Sequence, residues 1–377
     1  MPPFTIQWDP QGLKDLRRTI DAYRRPAIAK GTGWQYGADP DTLDRLVDRW
    51  RADPYGDSLI ATLQRFPHYR ARVGDTDIHF VHVSGEAGGH RPLLLSHGWP
   101  GSVYEFWRVI EPLAFPSQHG GDPADAFDIV VPSLPGFGFS SLPPGVVGPR
   151  RTAALFDQLM RDVLGYPHYL AHGGDWGAGV TAWIALDHPA SVPAIHLSYL
   201  LTRSDQQPQT DSEREWSARY QQAQERFGAY SRLQRTRPVS LAWATVGNPL
   251  GQLAWIVERF HDWADLSVRR FEDVFTDQDL LVNAALYTHT DAFDTSVQYY
   301  AHAEVERARW MPRGQRVEVP TAFRGYPSPA FPVPPQEWVE RVYNLSSFTT
   351  MPAGGHFSAL EVPTLFVNDL RAWGRGE

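Results

Sequence analysis

The chain has 377 residues, long enough to bury about three quarters of its unfolded surface with no staple of disulfide or metal. It contains no cysteine, which excludes disulfides, thiolate nucleophiles, cysteine-ligated zinc and iron–sulfur clusters. Lys and Arg number 35 against 43 Asp and Glu, a formal charge of −8, so no nucleic-acid partner is expected, since a phosphate binder would show a basic excess.

The first 75 residues read as a mostly helical extension. Asp9-Pro10 and Asp39-Pro40 each pair an N-cap with Pro at the first helical position. Leu13, Leu16, Ile20 and Tyr23, then Leu43, Leu46, Val47 and Trp50, mark one apolar face behind each cap. No stretch near the N-terminus has signal-peptide length, and the longest apolar runs (Leu93 to Leu95, Ile129 to Val131) are strand-sized. The expectation is a cytoplasmic protein with no membrane partner.

From Ile78 the period shortens, and short apolar runs alternate with helical patterns. Strands are expected at Pro92–Ser96, Phe127–Val131, His168–His172 and Pro193–Leu200. Helices are expected at Val103–Leu113, Arg151–Leu164 and Ala178–Asp187. Such alternation predicts an α/β fold: a mostly parallel sheet with helices on both faces. Residues 76–201 form the first part of that core. Residues 202–308 show no strand pattern and read as an inserted helical cap, because a structureless loop of that length is improbable. Residues 309–377 complete the core, with strands at Val317–Phe323 and Ser346–Thr350 and a helix over Leu360–Trp373.

Three unusual segments follow expected strand ends, which is where ligands bind in open parallel sheets. His172-Gly173-Gly174-Asp175-Trp176-Gly177 has the small-x-nucleophile-x-small form of a nucleophile elbow, with Asp in the central place. An overlapping Gly177-Ala178-Gly179-Val180-Thr181-Ala182 matches the dinucleotide pattern, but no ribose-binding acid follows it. A carboxylate that attacks a saturated carbon makes an alkyl ester, which water can cleave at the acyl carbon. A serine there would make an inert ether. The Asp elbow therefore points to epoxide opening or halide displacement. Gly354-Gly355-His356 supplies a late rim histidine as the base that activates water. His97-Gly98-Trp99-Pro100-Gly101 offers the Trp99 N–H which, with that of Trp176, could form an oxyanion hole, and Trp99-Pro100 is a candidate cis peptide.

Together these motifs, with WQYGADPDTLDRLVDRW and FPHYR, resemble the microsomal-type epoxide hydrolases of the α/β-hydrolase superfamily, which include juvenile-hormone and bacterial natural-product enzymes. The resemblance runs from about Phe4 to Trp373, without the membrane anchor of the animal enzymes. It implies an enzyme with no cofactor and no metal, acting on a small-molecule epoxide, and is compatible with a homodimer. It also implies two cap tyrosines that hold and protonate the epoxide oxygen. Gly228-Ala229-Tyr230-Ser231 is similar to the first site, and Tyr300, in Ser296-Val297-Gln298-Tyr299-Tyr300 after Leu280-Leu281-Val282-Asn283, matches the second. Neighbours on a helix diverge by about 100°, so only one of Tyr299 and Tyr300 should face the site.

One position departs from the pattern. The family places a carboxylate in the loop after Val317–Phe323 to orient the histidine. Here the loop reads Tyr326-Pro327-Ser328-Pro329-Ala330-Phe331-Pro332-Val333-Pro334-Pro335. Glu318 lies at the wrong end of its strand. Asp205, beyond Pro193–Leu200, is better placed, the alternatives being a carboxylate elsewhere or none, so the acid stays unassigned. The expected function is opening of an apolar, bulky or aryl epoxide to a vicinal diol, with Asp175, His356, Tyr230 and Tyr300 as catalytic residues. Trp216, Tyr220, Phe227, Trp243 and Trp255 suggest the apolar substrate. A haloalkane dehalogenase, or a non-catalytic binding protein of the same fold, is the alternative.

Overall fold

A computed structural model describes residues 2–29, 31–53, 56–86 and 91–376. The chain begins with helices α1 (Pro10–Asp21), α2 (Pro40–Ala52) and α3 (Asp57–Leu63). Both expected caps form: Asp9 accepts from the N–H groups of Gln11 and Gly12, and Asp39 accepts from that of Thr42. A strand pair follows, β1 (His68–Val73) and β2 (Thr76–Val83). β1 lies inside the segment expected to be mostly helical. Its ends His68 and Val73 are buried, half-buried Tyr69 and Ala71 alternate with exposed Arg70 and Arg72 between them, and it is the edge strand beside β2.

The core then runs β3 (Pro92–Ser96), α4 (Ile110–Ala114), β4 (Asp128–Pro132), α5 (Pro149–Gln158), β5 (Leu170–Gly173), α6 (Asp175–Asp187) and β6 (Ile195–Leu197). The expected helix over Val103–Leu113 is instead a 3₁₀ turn, Val103–Phe106, followed by the short α4. Pro112 has no N–H and is tolerated only in a helix's first turn, so α4 starts at Ile110. β6 starts later than expected, since Pro193 cannot donate to a ladder, and it ends at Leu197.

Helices α7 (Asp211–Phe227), α8 (Ala229–Thr236), α9 (Pro238–Thr245), α10 (Pro249–Trp263), α11 (Phe271–Val274), α12 (Asp277–Thr288) and α13 (Ala292–Val305) come next. The chain closes with β7 (Val317–Gly325), α14 (Gln336–Glu340), β8 (Tyr343–Thr350), α15 (Ser358–Glu361) and α16 (Pro363–Arg375). The single expected C-terminal helix is divided before Pro363, which takes the first position of α16.

Among the described residues the strands form one eight-stranded sheet, ordered β1-β2-β4-β3-β5-β6-β7-β8. β1/β2 and β2/β4 are antiparallel and every later pairing is parallel. β3 and β4 are fully buried apolar runs, as a sheet covered on both faces requires. The N-terminal segment clasps the helical insertion from outside. Trp8 stacks on His289 with ring centroids 4.5 Å apart, and Trp34 on His261 at 3.9 Å. Arg45 pairs with Asp277 at 3.1 Å, and Gln278 donates to the Thr62 hydroxyl at 3.0 Å.

Candidate active site

Ser96 at the end of β3 pairs with Gly173 at the end of β5. The turns that follow therefore leave the carboxyl edge of the sheet side by side. Asp175 opens α6 with φ +46°, a left-handed conformation that a non-glycine residue adopts only when its surroundings impose it. A Cβ at Gly173 would collide with the Gly177 carbonyl, and one at Gly177 with that of Ser96. Only glycines let strand, turn and helix close this tightly, and the closure thrusts the Asp175 side chain out of the turn. Gly98 faces it so closely that a Cβ there would strike the carboxylate.

Asp175 Oδ1 accepts the Trp99 N–H at 2.8 Å, and Oδ2 lies 3.2 Å from His356 Nε2. The imidazole is not aligned to hydrogen-bond that oxygen. The Trp176 N–H lies in the first turn of α6, where amides have no helical acceptor. Trp99-Pro100 is cis. The turn is braced from below by His97, whose Nδ1 lies 2.9 Å from the Gly98 carbonyl and whose Nε2 accepts from the Leu134 N–H at 3.3 Å. Burial lowers the His97 pKa to about 4, so it is neutral in this role. From the helical insertion, Asn283 donates to the Pro100 carbonyl at 2.7 Å and Tyr287 to that of Gly101 at 2.5 Å.

His356 arrives from the loop after β8, whose last residue, Thr350, pairs with Gly325. Its own N–H donates to the Trp263 carbonyl at 3.1 Å. The flanking amides of Gly355 and Phe357 donate to Glu361 at 2.8 and 2.9 Å, and that of Gly354 to Asp265 at 3.1 Å. Burial pushes Glu361 up to about 7, against the pull of those donors. The imidazole is surrounded by Tyr199, Trp263 and Phe331, with centroids 4.7 to 5.6 Å away.

Tyr230 of α8 and Tyr300 of α13 meet edge to face at 5.9 Å. Tyr230 stacks on Trp99 at 5.4 Å, and Tyr300 meets Trp176 edge-on at 4.7 Å. Burial raises both phenol pKa values, and the charge on Asp175 raises them further. The Arg259 guanidinium lies 5.2 Å from the Tyr230 ring centre and acts the other way. Tyr299 points elsewhere, its hydroxyl 2.8 Å from that of Thr152.

Asp175, His356, Tyr230, Tyr300 and the Trp99 and Trp176 turns thus converge. Asp205 does not join them: it is exposed and lies 3.3 Å from Arg313. The strand that should aim it at the rim ends at Leu197, and the chain has turned to the surface by residue 205. Among the described residues, Asp175 is the only carboxylate within 4.0 Å of a His356 ring nitrogen. Asp205→Ala is expected to leave steady-state turnover of an aryl epoxide unchanged, and stability within about 0.5 kcal/mol, as for other surface substitutions. Of the cap aromatics, Trp216 is buried with its indole N–H on the Pro332 carbonyl, and Trp243 is 79 % exposed and lines nothing.

Sequence reasoning missed Trp263 and Tyr199, which box His356, and the buried Glu105, whose one signal is a carboxylate inside the apolar run Val103-Tyr104-Glu105-Phe106. Among the described residues no cluster of three His, Asp or Glu could hold a metal ion, and no helix is long and apolar enough to cross a membrane.

Comparison with known proteins shows the family and the fold. Residues 1–106 match the family described as epoxide hydrolase N terminus, and residues 91–252 match the alpha/beta hydrolase fold. A Stigmatella aurantiaca relative that bears an epoxide hydrolase name is 37 % identical over 98 % of this chain and 83 % of its own length. Epoxide hydrolase 1 of Oryctolagus cuniculus is 30 % identical over 98 % of this chain and 87 % of its own. The crystal structure of juvenile hormone epoxide hydrolase from Bombyx mori is 26 % identical and superposes with a TM-score of 0.85, covering 99 % of this chain and 93 % of that one.

Proposed function

Because the chain belongs to the epoxide hydrolases of the α/β-hydrolase fold, we propose that it converts an apolar, bulky or aryl epoxide to a vicinal diol through an ester on Asp175. The observation that carries this reading is the seat of Asp175. It lies at a left-handed elbow, between the Trp99 N–H and the His356 imidazole, on the rim where two buried phenols meet.

In the first step Asp175 attacks one epoxide carbon. The C–O bond breaks, and Tyr230 and Tyr300 hold the oxygen, one giving it a proton. Strain in the three-membered ring and the donated proton drive the step, so the scheme calls for no cofactor. In the second step His356 removes a proton from water, which attacks the ester carbonyl. The Trp99 and Trp176 N–H groups hold the oxyanion, and collapse of the intermediate releases the diol. The helical insertion serves as a cap, since α8 and α13 carry the phenols. Trp99, Trp176, Trp263 and Phe331 give the site aromatic walls suited to an apolar substrate.

A dehalogenase would share the Asp elbow but would have no use for the phenol pair. Halide release from alkyl halides with no diol from any epoxide would overturn the reading. The direct test is a single turnover in ¹⁸O-water. The label is expected in the Asp175 carboxyl after the first turnover, and label appearing at once in the diol would show direct attack by water.

A further inference from the structure

Glu105 takes no part in the steps above. It lies in the 3₁₀ turn Val103–Phe106 and is 8 % exposed. Both turns that bracket Asp175 border it. A Cβ on Gly101 would lie 2.5 Å from one carboxyl oxygen, and a Cβ on Gly174 3.9 Å from the other. Gly98, which abuts Asp175, lies in the first of these turns. The 3₁₀ turn also packs against α15, the helix that follows the His356 loop. The titratable groups facing it are Asp175 from α6, Glu361 from α15 and Tyr287 from α12. Burial, and then the charge on Asp175, push its carboxyl up to about 8. Near neutral pH, therefore, Glu105 keeps its proton beside the Asp175 carboxyl.

Ring opening reverses the reason for that proton. It neutralises Asp175 as an ester and leaves the negative charge on a phenol oxygen, a far stronger base than a carboxylate. We propose that Glu105 is the proton store of the cycle, a positioning residue that gives its proton through water to the Tyr230 or Tyr300 phenolate and recovers it when hydrolysis frees Asp175. The proposal rests on Asp175 being the nucleophile. Protons balance at each stage. Ring opening moves one from phenol to alkoxide, and Glu105 restores the phenol. Hydrolysis passes one from water through His356 to the departing alcohol, leaving Asp175 as a carboxylic acid whose proton returns to Glu105. While the ester stands, the negative charge sits on Glu105, beside the histidine loop. The imidazolium formed on His356 then has a compensating carboxylate that the proline-rich loop after β7 does not provide.

The measurement is proton uptake during alkylation. His356→Gln holds the ester, so it is mixed with styrene oxide in weak buffer with an indicator dye, and ester is counted by intact mass. With Glu105 present, almost no proton should be taken up per ester near pH 7, rising toward about one near pH 9, where Glu105 is already ionised. Glu105→Gln in the same background should take up about one at both. With His356 intact, Glu105→Gln should slow ester breakdown about tenfold or more and flatten its pH profile, and Glu105→Asp should restore part of the rate. Uptake of one proton per ester near pH 7 with Glu105 present overturns the proposal while leaving Asp175 as nucleophile. Absence of ester from every variant overturns both readings. Should Glu105→Gln fail to fold, the two pH values in the Glu105-containing chain still decide.

Discussion

Asp175→Asn is expected to abolish diol formation, with turnover falling by about 10⁴-fold or more, the scale on which losing a covalent nucleophile registers. The amide keeps the shape and can still accept the Trp99 N–H, so folding should survive, yet it is a far weaker nucleophile. His356→Gln should lose turnover to a similar extent for a different reason. Ring opening asks nothing of His356, so the ester should form and remain. Intact-mass analysis after mixing with an aryl epoxide separates the two: a gain of one substrate mass for His356→Gln and none for Asp175→Asn. A mass gain in Asp175→Asn would place the nucleophile elsewhere.

The second large effect concerns the phenols. Removing one preorganised donor from a developing oxyanion costs about 2.7–4 kcal/mol, or 10²- to 10³-fold. Tyr230→Phe and Tyr300→Phe should each slow ring opening on that scale, and the double variant should nearly stop it. Rapid-mixing measurement of ester formation is the check, because steady-state turnover mixes both steps. Tyr299→Phe is the control. It loses the contact with Thr152 and should cost about 1 kcal/mol of stability with no effect on ring opening. A silent Tyr300→Phe beside a slow Tyr299→Phe would reverse their roles.

The parts of this architecture that were legible in the sequence are those with local causes. Asp9 and Asp39 cap their helices through amides two or three residues away, so the signal lies within four letters. The elbow was legible because tight closure needs glycine at Gly173 and Gly177, two letters either side of Asp175. That only one of Tyr299 and Tyr300 faces the site follows from helix geometry, although which one, and which tyrosines to consider, came from family resemblance and not from any pattern. β1 was missed because an edge strand owes its conformation to its partner, and His68, Arg70 and Arg72 read as polar without β2 beside them. Glu105 was missed for a related reason. Its burial arises where turns from β3 and β5 meet α15, a convergence of residues about 70 and 250 apart that no window along the chain contains. The loop after β7 carries no acid in the sequence, and its Ser328 donates instead to the Trp263 carbonyl at 2.9 Å.

The clasp of the N-terminal segment on the helical insertion governs the order in which the chain can be assembled. Arg45 and Asp277 are 232 positions apart. At synthesis rates of about 5–20 residues per second, α2 waits roughly ten to fifty seconds for α12. Throughout that interval Trp8 and Trp50, both buried in the finished protein, have no insertion to pack against. Part of that aromatic surface, the face of Trp8 that stacks on His289, therefore stays uncovered until about three quarters of the chain has been made. The same separation predicts that refolding from denaturant is slow and loses yield as protein concentration rises, which stopped-flow fluorescence over a concentration series would check.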